Sequence, residues 1–503
     1  MNKEEFGWFA YQPDVEGGPD MGGVAYSSAV EVTGDEPGRG KERLRWSDMS
    51  SLLRGGSSKL ARTARAMNAQ SPADLIVEHL QGDIGEAVTS RNWPTFELPN
   101  LQRAMDQIVS EPDVVNTHIG LLNPMGMPYG ISELVHGGFA QIRIGGITHE
   151  QVMIGPEGQK LACVKEALHL MEVDGNPVVL LRTMGERGMP QLEFQALATK
   201  ESVAQALLDR IADLALRLNV YRGKVLTFAE DMFDSQYSAL KVLPRPQVDA
   251  EDIVLPDEVL DQVDRQIVQL ARHTSALRAA GQHVRRGVLL YGPPGTGKTH
   301  LIRHLIGRLP EHTVLVLTGE GIRGLAMACS VARTLNPAIV VIEDIDLIAM
   351  DRDYGGGDQS MLFELLNQMD GLEPEADVTF LLTTNRADLL EGALAARPGR
   401  VDLAVHLPLP TAQARRALLD LYRPAQGWHV DDVTAAEVVE RIDGTTASFV
   451  KELVRRAVLV SLHDHDPGMP SDLLVTSDHL RAATSELLDS GSQLTRRALG
   501  VNQ

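Results

Sequence analysis

One stretch limits this chain more than any other: GVLLYGPPGTGKTH, residues 287–300. The apolar run Val288–Tyr291 has the length and composition of a buried strand, and the residues after Thr299 return to a helical pattern. Between them stands G-x-x-x-x-G-K-T, a strand–loop–helix context that a glycine-rich turn without a ligand does not need. Glycines let successive backbone N–H groups converge on phosphate oxygens, and the helix start adds the positive end of its dipole. The candidate nucleotide-binding residues are therefore Gly292, Pro293, Pro294, Gly295, Thr296, Gly297, Lys298, Thr299 and His300. Lys298 has the charge for the β- and γ-phosphates of ATP, and the Thr299 hydroxyl is suited to ligate Mg²⁺.

More strand-like runs follow at Val314–Leu317, Ile339–Ile342 and Thr379–Thr383, alternating with helical segments as in a parallel α/β sheet. The second ends in IVVIEDID, residues 339–346, which delivers Glu343 as a candidate metal ligand and Asp344 as a candidate catalytic residue. Taken alone, such a run is also compatible with a strand that ends at a solvated acidic turn. A third run ends in LLTTNR, where Asn385 is placed to orient a water, although asparagine at a strand end is often only a turn former. LAARPGRVD holds Arg397 and Arg400 on a rigid Pro-Gly turn. Its bland reading is a solvated surface turn. Beside a phosphate loop, its chemical reading is a pair of arginines offered to a γ-phosphate across a subunit boundary, where such a finger contributes on the order of 10³ to 10⁵ in rate. After HLPLP, residues 406–410, only helices are evident, with Thr411 as the expected N-cap of the first.

At 503 residues the chain should hold two to four domains. Residues 1–75 are rich in Gly, Ser and Pro and are expected to form a flexible leader. Residues 76–245 read as an α+β N-terminal domain for a partner or substrate, with strands at AQIRIGG, NPVVLLRTM and QLEFQALA. Its helix places Val203, Leu207, Leu208, Ile211, Leu214, Ala215 and Leu218 on one face, ahead of YRGKVLTF. LKVLPRPQVDAED reads as a linker into the α/β unit, 246–410, and the helical lid spans 411–503. A formal charge of −21 argues against nucleic acid as a partner, because phosphate contacts need clustered Lys and Arg. The only cysteines, Cys163 and Cys329, are isolated and make neither a disulfide framework nor a zinc site. With no apolar run of about 18 residues and no signal-peptide pattern, a cytoplasmic location away from membranes is expected.

Residues 253–490 resemble the AAA family of ATPases. YGPPGTGKT, VVIEDID, MLFELLNQMDGL, TTNRADLLEGALAARPGRVD and DGTTASFVKELVRRA occur in that family's order and spacing. The resemblance implies a P-loop α/β subdomain with a helical lid, ATP in a cleft between protomers, and a homo-hexameric ring. It implies that Arg397 and Arg400 are trans arginine fingers, that Asn385 is the polar sensor, and that Gly444 to Ala447 lie near the adenine.

Two departures from that family stand out. The acids run Glu343 then Asp344, so the shorter aspartate stands where the water-activating glutamate is expected. Its side chain lacks one C–C bond, about 1.5 Å. The segment HTVLVLTGEGIRGLAMACSVARTLNPAIV also has no Phe, Tyr or Trp where ring unfoldases carry a peptide-gripping aromatic. In both respects the core is similar to the mitochondrial translocase subgroup that acts on the Rieske iron–sulfur protein. GGGDQ, residues 355–359, is either a second pore-facing loop or a connector, and HDHD, residues 463–466, is expected to be a solvated loop rather than a metal site. The absence of His-Glu-x-x-His argues against a fused zinc protease, and the ending RRALGVNQ lacks a proteasome-docking tail.

The leading expectation is Mg²⁺-dependent ATP hydrolysis that remodels, assembles or dissociates a protein client. A nucleotide-gated scaffold with slow hydrolysis is the alternative. A threading unfoldase that feeds a protease is a third reading, and the missing aromatic and tail argue against it.

Overall fold

The computed structural model describes residues 71–82, 84, 87–124, 128–137, 142–185, 191–228, 240–318, 324–346, 361–371, 376–388, 400–463 and 473–489. Residues 1–70 of the leader, Arg397, GGGDQ, Asp464 to Asp466 and the C-terminal RRALGVNQ lie outside them, while the leader's last residues, 71–75, cap and open a helix.

An N-terminal sheet comes first in the chain. Its strands β1 (Thr89–Pro94), β2 (Val114–Leu122), β3 (Arg143–Gly145), β6 (Ala167–Val173), β7 (Asn176–Gly185) and β8 (Gln191–Ala198) lie in the order β1-β8-β7-β6-β2-β3, with every pairing antiparallel. A separate hairpin joins β4 (His149–Met153) to β5 (Lys160–Val164). Side chains alternate across each strand, so the sheet has two apolar faces to cover. Helices α2 (Leu98–Val109) and α4 (Glu201–Arg217) pack on one face with Met171, Val178, Leu180 and Phe194. Helices α1 (Pro72–His79) and α3 (Ile131–His136) lie with the other, around Leu168, Val179 and Leu181. In α4, Leu207, Leu208, Ile211, Leu214 and Ala215 are buried, and Val203 and Leu218 are partly buried at its ends, as the periodicity predicts.

The second sheet has seven strands: β9 (Val225–Phe228), β10 (Leu240–Leu243), β11 (Arg286–Tyr291), β12 (Thr313–Leu317), β13 (Ala338–Ile342), β14 (Val378–Thr384) and β15 (Leu403–His406), in the order β10-β9-β12-β13-β14-β11-β15. All its pairings are parallel except β9 with β10. Parallel strands are covered on both faces and read as unbroken apolar runs. Accordingly every residue of β12, β13 and β14 is buried. Between the strands run α6 (Lys298–Arg308), α7 (Leu325–Thr334) and α8 (Met361–Asp370), and α5 (Asp257–Val263) precedes β11.

Two strands of this sheet come from segments that the sequence reading leaves outside it. YRGKVLTF contributes β9, which pairs with β12, and LKVL, expected as the start of a linker, is β10. Leu240 and Val242 are buried there. The proline and acids that follow suggest a linker, but the alternation in LKVL is a strand signal too short to carry weight in sequence alone. The N-terminal sheet and the α/β core also share apolar packing: Phe96, Val220 and Tyr221 belong to the same buried cluster as Leu315, Val340 and Phe380. Asn100 closes the junction, its Oδ1 accepting from the Val220 amide at 2.8 Å. Lys224 donates to the carbonyl of Ile154 in the β4–β5 turn. Arg245 donates to four carbonyls, those of Gly223, Ile306, Leu309 and His312, and so clamps the end of α6 to the start of β9.

The C-terminal unit packs α9 (Ala412–Tyr422), α10 (Asp432–Arg441), α11 (Ala447–His463) and α12 (Ser477–Asp489) around Phe449, Leu453 and Leu480. The Thr411 hydroxyl accepts from Ala414 N at 3.2 Å, the expected cap. A two-residue parallel bridge, Trp428–His429 with Val475–Thr476, is an addition to the all-helical expectation. Among the described residues, no helix is long and apolar enough to cross a membrane.

Candidate active site

Register brings the candidate residues together. Tyr291 pairs with Thr384 and Ile342 with Leu382, so β11, β14 and β13 end at one edge of the sheet. β14 lies between the other two, and the residue leaving it, Asn385, falls between the glycine loop and the acids.

The loop adopts a conformation that requires glycine. Gly292, Gly295 and Gly297 have φ of +150°, +80° and +99°. A Cβ on Gly292 would lie 2.3 Å from the Leu407 carbonyl oxygen, and one on Gly295 would lie 3.0 Å from Thr446 Oγ1 and Ser448. α6 starts directly at Lys298, and no side chain caps it. Its first N–H groups are left to serve the loop. Thr296 Oγ1 ties the loop by donating to Pro293 O at 2.9 Å.

Lys298 is buried, and its Nζ donates to Gly292 O at 2.8 Å, Pro293 O at 3.0 Å and Asn385 Oδ1 at 2.7 Å. Asn385 Nδ2 in turn donates to Asp344 Oδ1 at 3.0 Å. One amide thus bridges the ammonium and the carboxylate. Glu343 is buried beside them, hydrogen-bonded to the Thr299 side chain, with Oε1 lacking a hydrogen-bond partner. Burial pushes the Glu343 carboxyl above the usual range against the pull of Thr299. It also raises Asp344, with the negative charge of Asp346 acting in the same direction. Burial lowers Lys298, and the three acids oppose that shift.

His300 bonds its ring to the backbone of Asp252, and burial lowers its basicity. The lid closes the other side of the loop. Ser448 N and Oγ donate to Gly295 O at 3.1 and 3.3 Å, Gly444 turns at φ +73°, and Thr445 and Thr446 are buried.

Arg400 is not brought to its own chain's loop. It pairs with Asp370, Nε to Oδ1 being 2.7 Å, and its carbonyl lies 2.1 Å from where a Gly287 Cβ would stand. Gly287 is at the far end of β11, about 17 Å from Gly292 at ~3.3 Å per strand residue.

Sequence reasoning missed two positioning groups. Asp346, buried, accepts on Oδ1 from Thr384 Oγ1 at 2.8 Å and from Asn385 N at 3.2 Å. Thr383 Oγ1 accepts from Asp344 N at 3.0 Å. Both lie inside motifs already singled out, IEDID and TTN, but their pairing depends on a register that only the fold supplies.

The family model for the ATPase family associated with various cellular activities (AAA) matches residues 288–409. The chain is 30% identical over 253 residues to "Proteasome-activating nucleotidase 2" of Haloferax volcanii, which covers 48% of this chain and 61% of that protein. It is 29% identical over 285 residues to "26S proteasome regulatory subunit 8" of Caenorhabditis elegans, covering 51% and 66%. To "ATP-dependent zinc metalloprotease FtsH 2" of Salinibacter ruber it is 29% identical over 270 residues, covering 50% and 39%.

Proposed function

Because this chain carries an ATPase domain of the AAA family, we propose that it hydrolyses ATP with Mg²⁺ to remodel, assemble or dissociate a protein client. The observation that carries this reading is the Asn385 amide spanning Lys298 and Asp344. That bridge joins a phosphate-binding cation to a water-polarising anion at the mouth of a glycine loop.

The residues fit the groups they would hold. A buried carboxylate oxygen with no donor, next to a threonine hydroxyl, suits a hard divalent cation. Glu343 and Thr299 would hold Mg²⁺, and when bound the ion would neutralise charge on the phosphates. Gly292 to Thr299 cradle the polyphosphate, the residues other than Pro293 and Pro294 through backbone N–H groups, and Lys298 Nζ turns from the Gly292 and Pro293 carbonyls to the β/γ oxygens. His300 holds Asp252, and Gly444 to Ala447 flank the base. Asp344 takes the proton of the attacking water while Asn385 fixes its orientation. Arg397 and Arg400 act on a neighbouring protomer's γ-phosphate within a homo-hexamer. The distance of Arg400 from its own loop supports a trans role.

We place the N-terminal partner domain before β9 and the α/β unit from β9 to residue 410, in a protein working in the cytoplasm. The Glu343-Asp344 order and the lack of an aromatic between Val314 and Leu335 support a likeness to the Rieske-protein translocase subgroup. A second reading, unfolding coupled to a proteasome, is favoured by the names of the relatives.

Asp344→Asn tests the reading, with Lys298→Ala as the control that cannot use nucleotide. The Asn variant should bind ATP with near-normal affinity and lose turnover by about 10²-fold or more. Unchanged turnover would sink the assignment. Mixing Arg397→Ala subunits with Asp344→Asn subunits should restore part of the hydrolysis if sites are shared between protomers.

A further inference from the structure

The inverted acid pair raises a geometric question: how does an aspartate reach a place suited to a longer side chain? The backbone around it answers. β13 ends at Ile342, and Glu343 N still bonds the Leu317 carbonyl at 3.3 Å. The next amide, that of Asp344, has left the ladder and meets Thr383 Oγ1 at 3.0 Å. Asp344 has φ of +51°. Among the described residues, the other non-glycine positions with positive φ are Gln81 and Asp174, both in turns, whereas Asp344 leaves a buried strand.

Left-handed backbone is disfavoured for L side chains by contact between Cβ and the carbonyl. Such conformations persist where the surroundings over-determine them, and they cluster at functional sites. Here the surroundings hold two bonds to Asp344. Thr383 fixes its amide, and Asn385, two residues further along the same chain segment, holds its carboxylate at 3.0 Å. Thr383 is 2% exposed, so water has little access to replace its hydroxyl. Returning φ to the extended region would turn Cβ and the carboxylate away from Asn385. A side chain one C–C bond shorter, about 1.5 Å, has no reach with which to recover.

We propose that Thr383 is the positioning residue that makes the Glu-Asp order workable, by holding Asp344 in a left-handed backbone that aims its carboxylate at Asn385. The twist of the chain stands in for the missing methylene. This rests on the reading of Asp344 as the water-polarising group, and the experiment separates the two.

Thr383→Val removes the acceptor at nearly constant volume, and Thr383→Ser keeps it. Three quantities are read on the full chain: kcat, the dissociation constant for ATP, and hydrogen exchange of the peptide covering residues 339–346 without nucleotide. The Val variant should lose on the order of 10²-fold in kcat, the usual effect of about 1 Å of misplacement. Its ATP affinity should stay within about threefold of the unaltered protein and its exchange should quicken, while the Ser variant stays near normal in all three. The proposal is overturned if the Val variant keeps kcat within about twofold, if Ser loses as much as Val, or if kcat and affinity fall together. Turnover that survives Asp344→Asn removes the underlying reading. Turnover lost in Asp344→Asn but kept in Thr383→Val removes only the role of Thr383.

Discussion

Asp377→Ala should be among the costliest single substitutions in the α/β core. Asp377 stands just before β14, and its Oδ1 receives Arg286 Nη2 at 2.6 Å while Oδ2 receives Thr274 Oγ1 at 3.0 Å. Both side chains of the ion pair are only 6% exposed. Arg286 spends its other donors on the carbonyls of Val284 at 2.9 Å and Ile267 at 3.2 Å. Burial lowers its basicity, and Asp377 is the main group that restores it. Alanine leaves a buried cation without its counter-ion, a loss of about 3–5 kcal/mol, while Thr274 falls back on the Leu270 and Ala271 carbonyls. At ~2–4 °C per kcal/mol for a unit of this size, the melting midpoint should fall by about 6–20 °C. Replacing both partners, Arg286→Met with Asp377→Leu, should cost much less, within about 1 kcal/mol of the unaltered protein. Urea unfolding followed by circular dichroism, with a double-mutant cycle through Arg286→Met, Asp377→Leu and the double variant, supplies the numbers. A loss under about 1 kcal/mol in Asp377→Ala, or a double variant weaker than the single one, refutes the reasoning.

Two further outcomes follow from the site. In the role proposed for it, Asp344 must be ionised to take a proton, and its pKa is raised by burial and then by Asp346. The acid limb of kcat should therefore lie above the ordinary aspartate range, and Asp346→Asn, which keeps an acceptor but removes the charge, should move that limb to lower pH. A limb that stays in place in a pH–rate profile contradicts the electrostatic role of Asp346. Gly295→Ala combines a left-handed backbone with a contact at 3.0 Å to Thr446 and Ser448. It should weaken ATP binding by about tenfold, equivalent to ~1.4 kcal/mol, measured by titration with a fluorescent nucleotide analogue.

The glycine loop was legible in sequence because its chemistry is local. Strand, turn and helix start lie within fourteen residues, and each glycine marks a backbone need. Glu343, Asp344 and Asn385 were legible because each ends an apolar run. Thr383 and Asp346 were not, since their partners are fixed by the register between β13 and β14, which no single strand encodes. The same holds for β9 and β10: a four-residue apolar segment does not announce which sheet it will join. The helix over Glu201–Arg217 was legible in detail because seventeen residues of periodicity average out local noise.

The shared core under Phe96, Val220 and Tyr221 has a mechanical consequence. The N-terminal sheet is joined to the phosphate-binding sheet by packed side chains and by the Asn100 and Lys224 bonds. It is packed against that core and not merely tethered to it. A tilt of the α/β core would therefore carry the N-terminal sheet with it, with a displacement that grows with distance from the pivot. The lid instead meets the glycine loop through hydrogen bonds at Gly295, contacts that a bound nucleotide can remake. Compliance is concentrated at the contacts between lid and glycine loop, and leverage at the far edge of the N-terminal sheet.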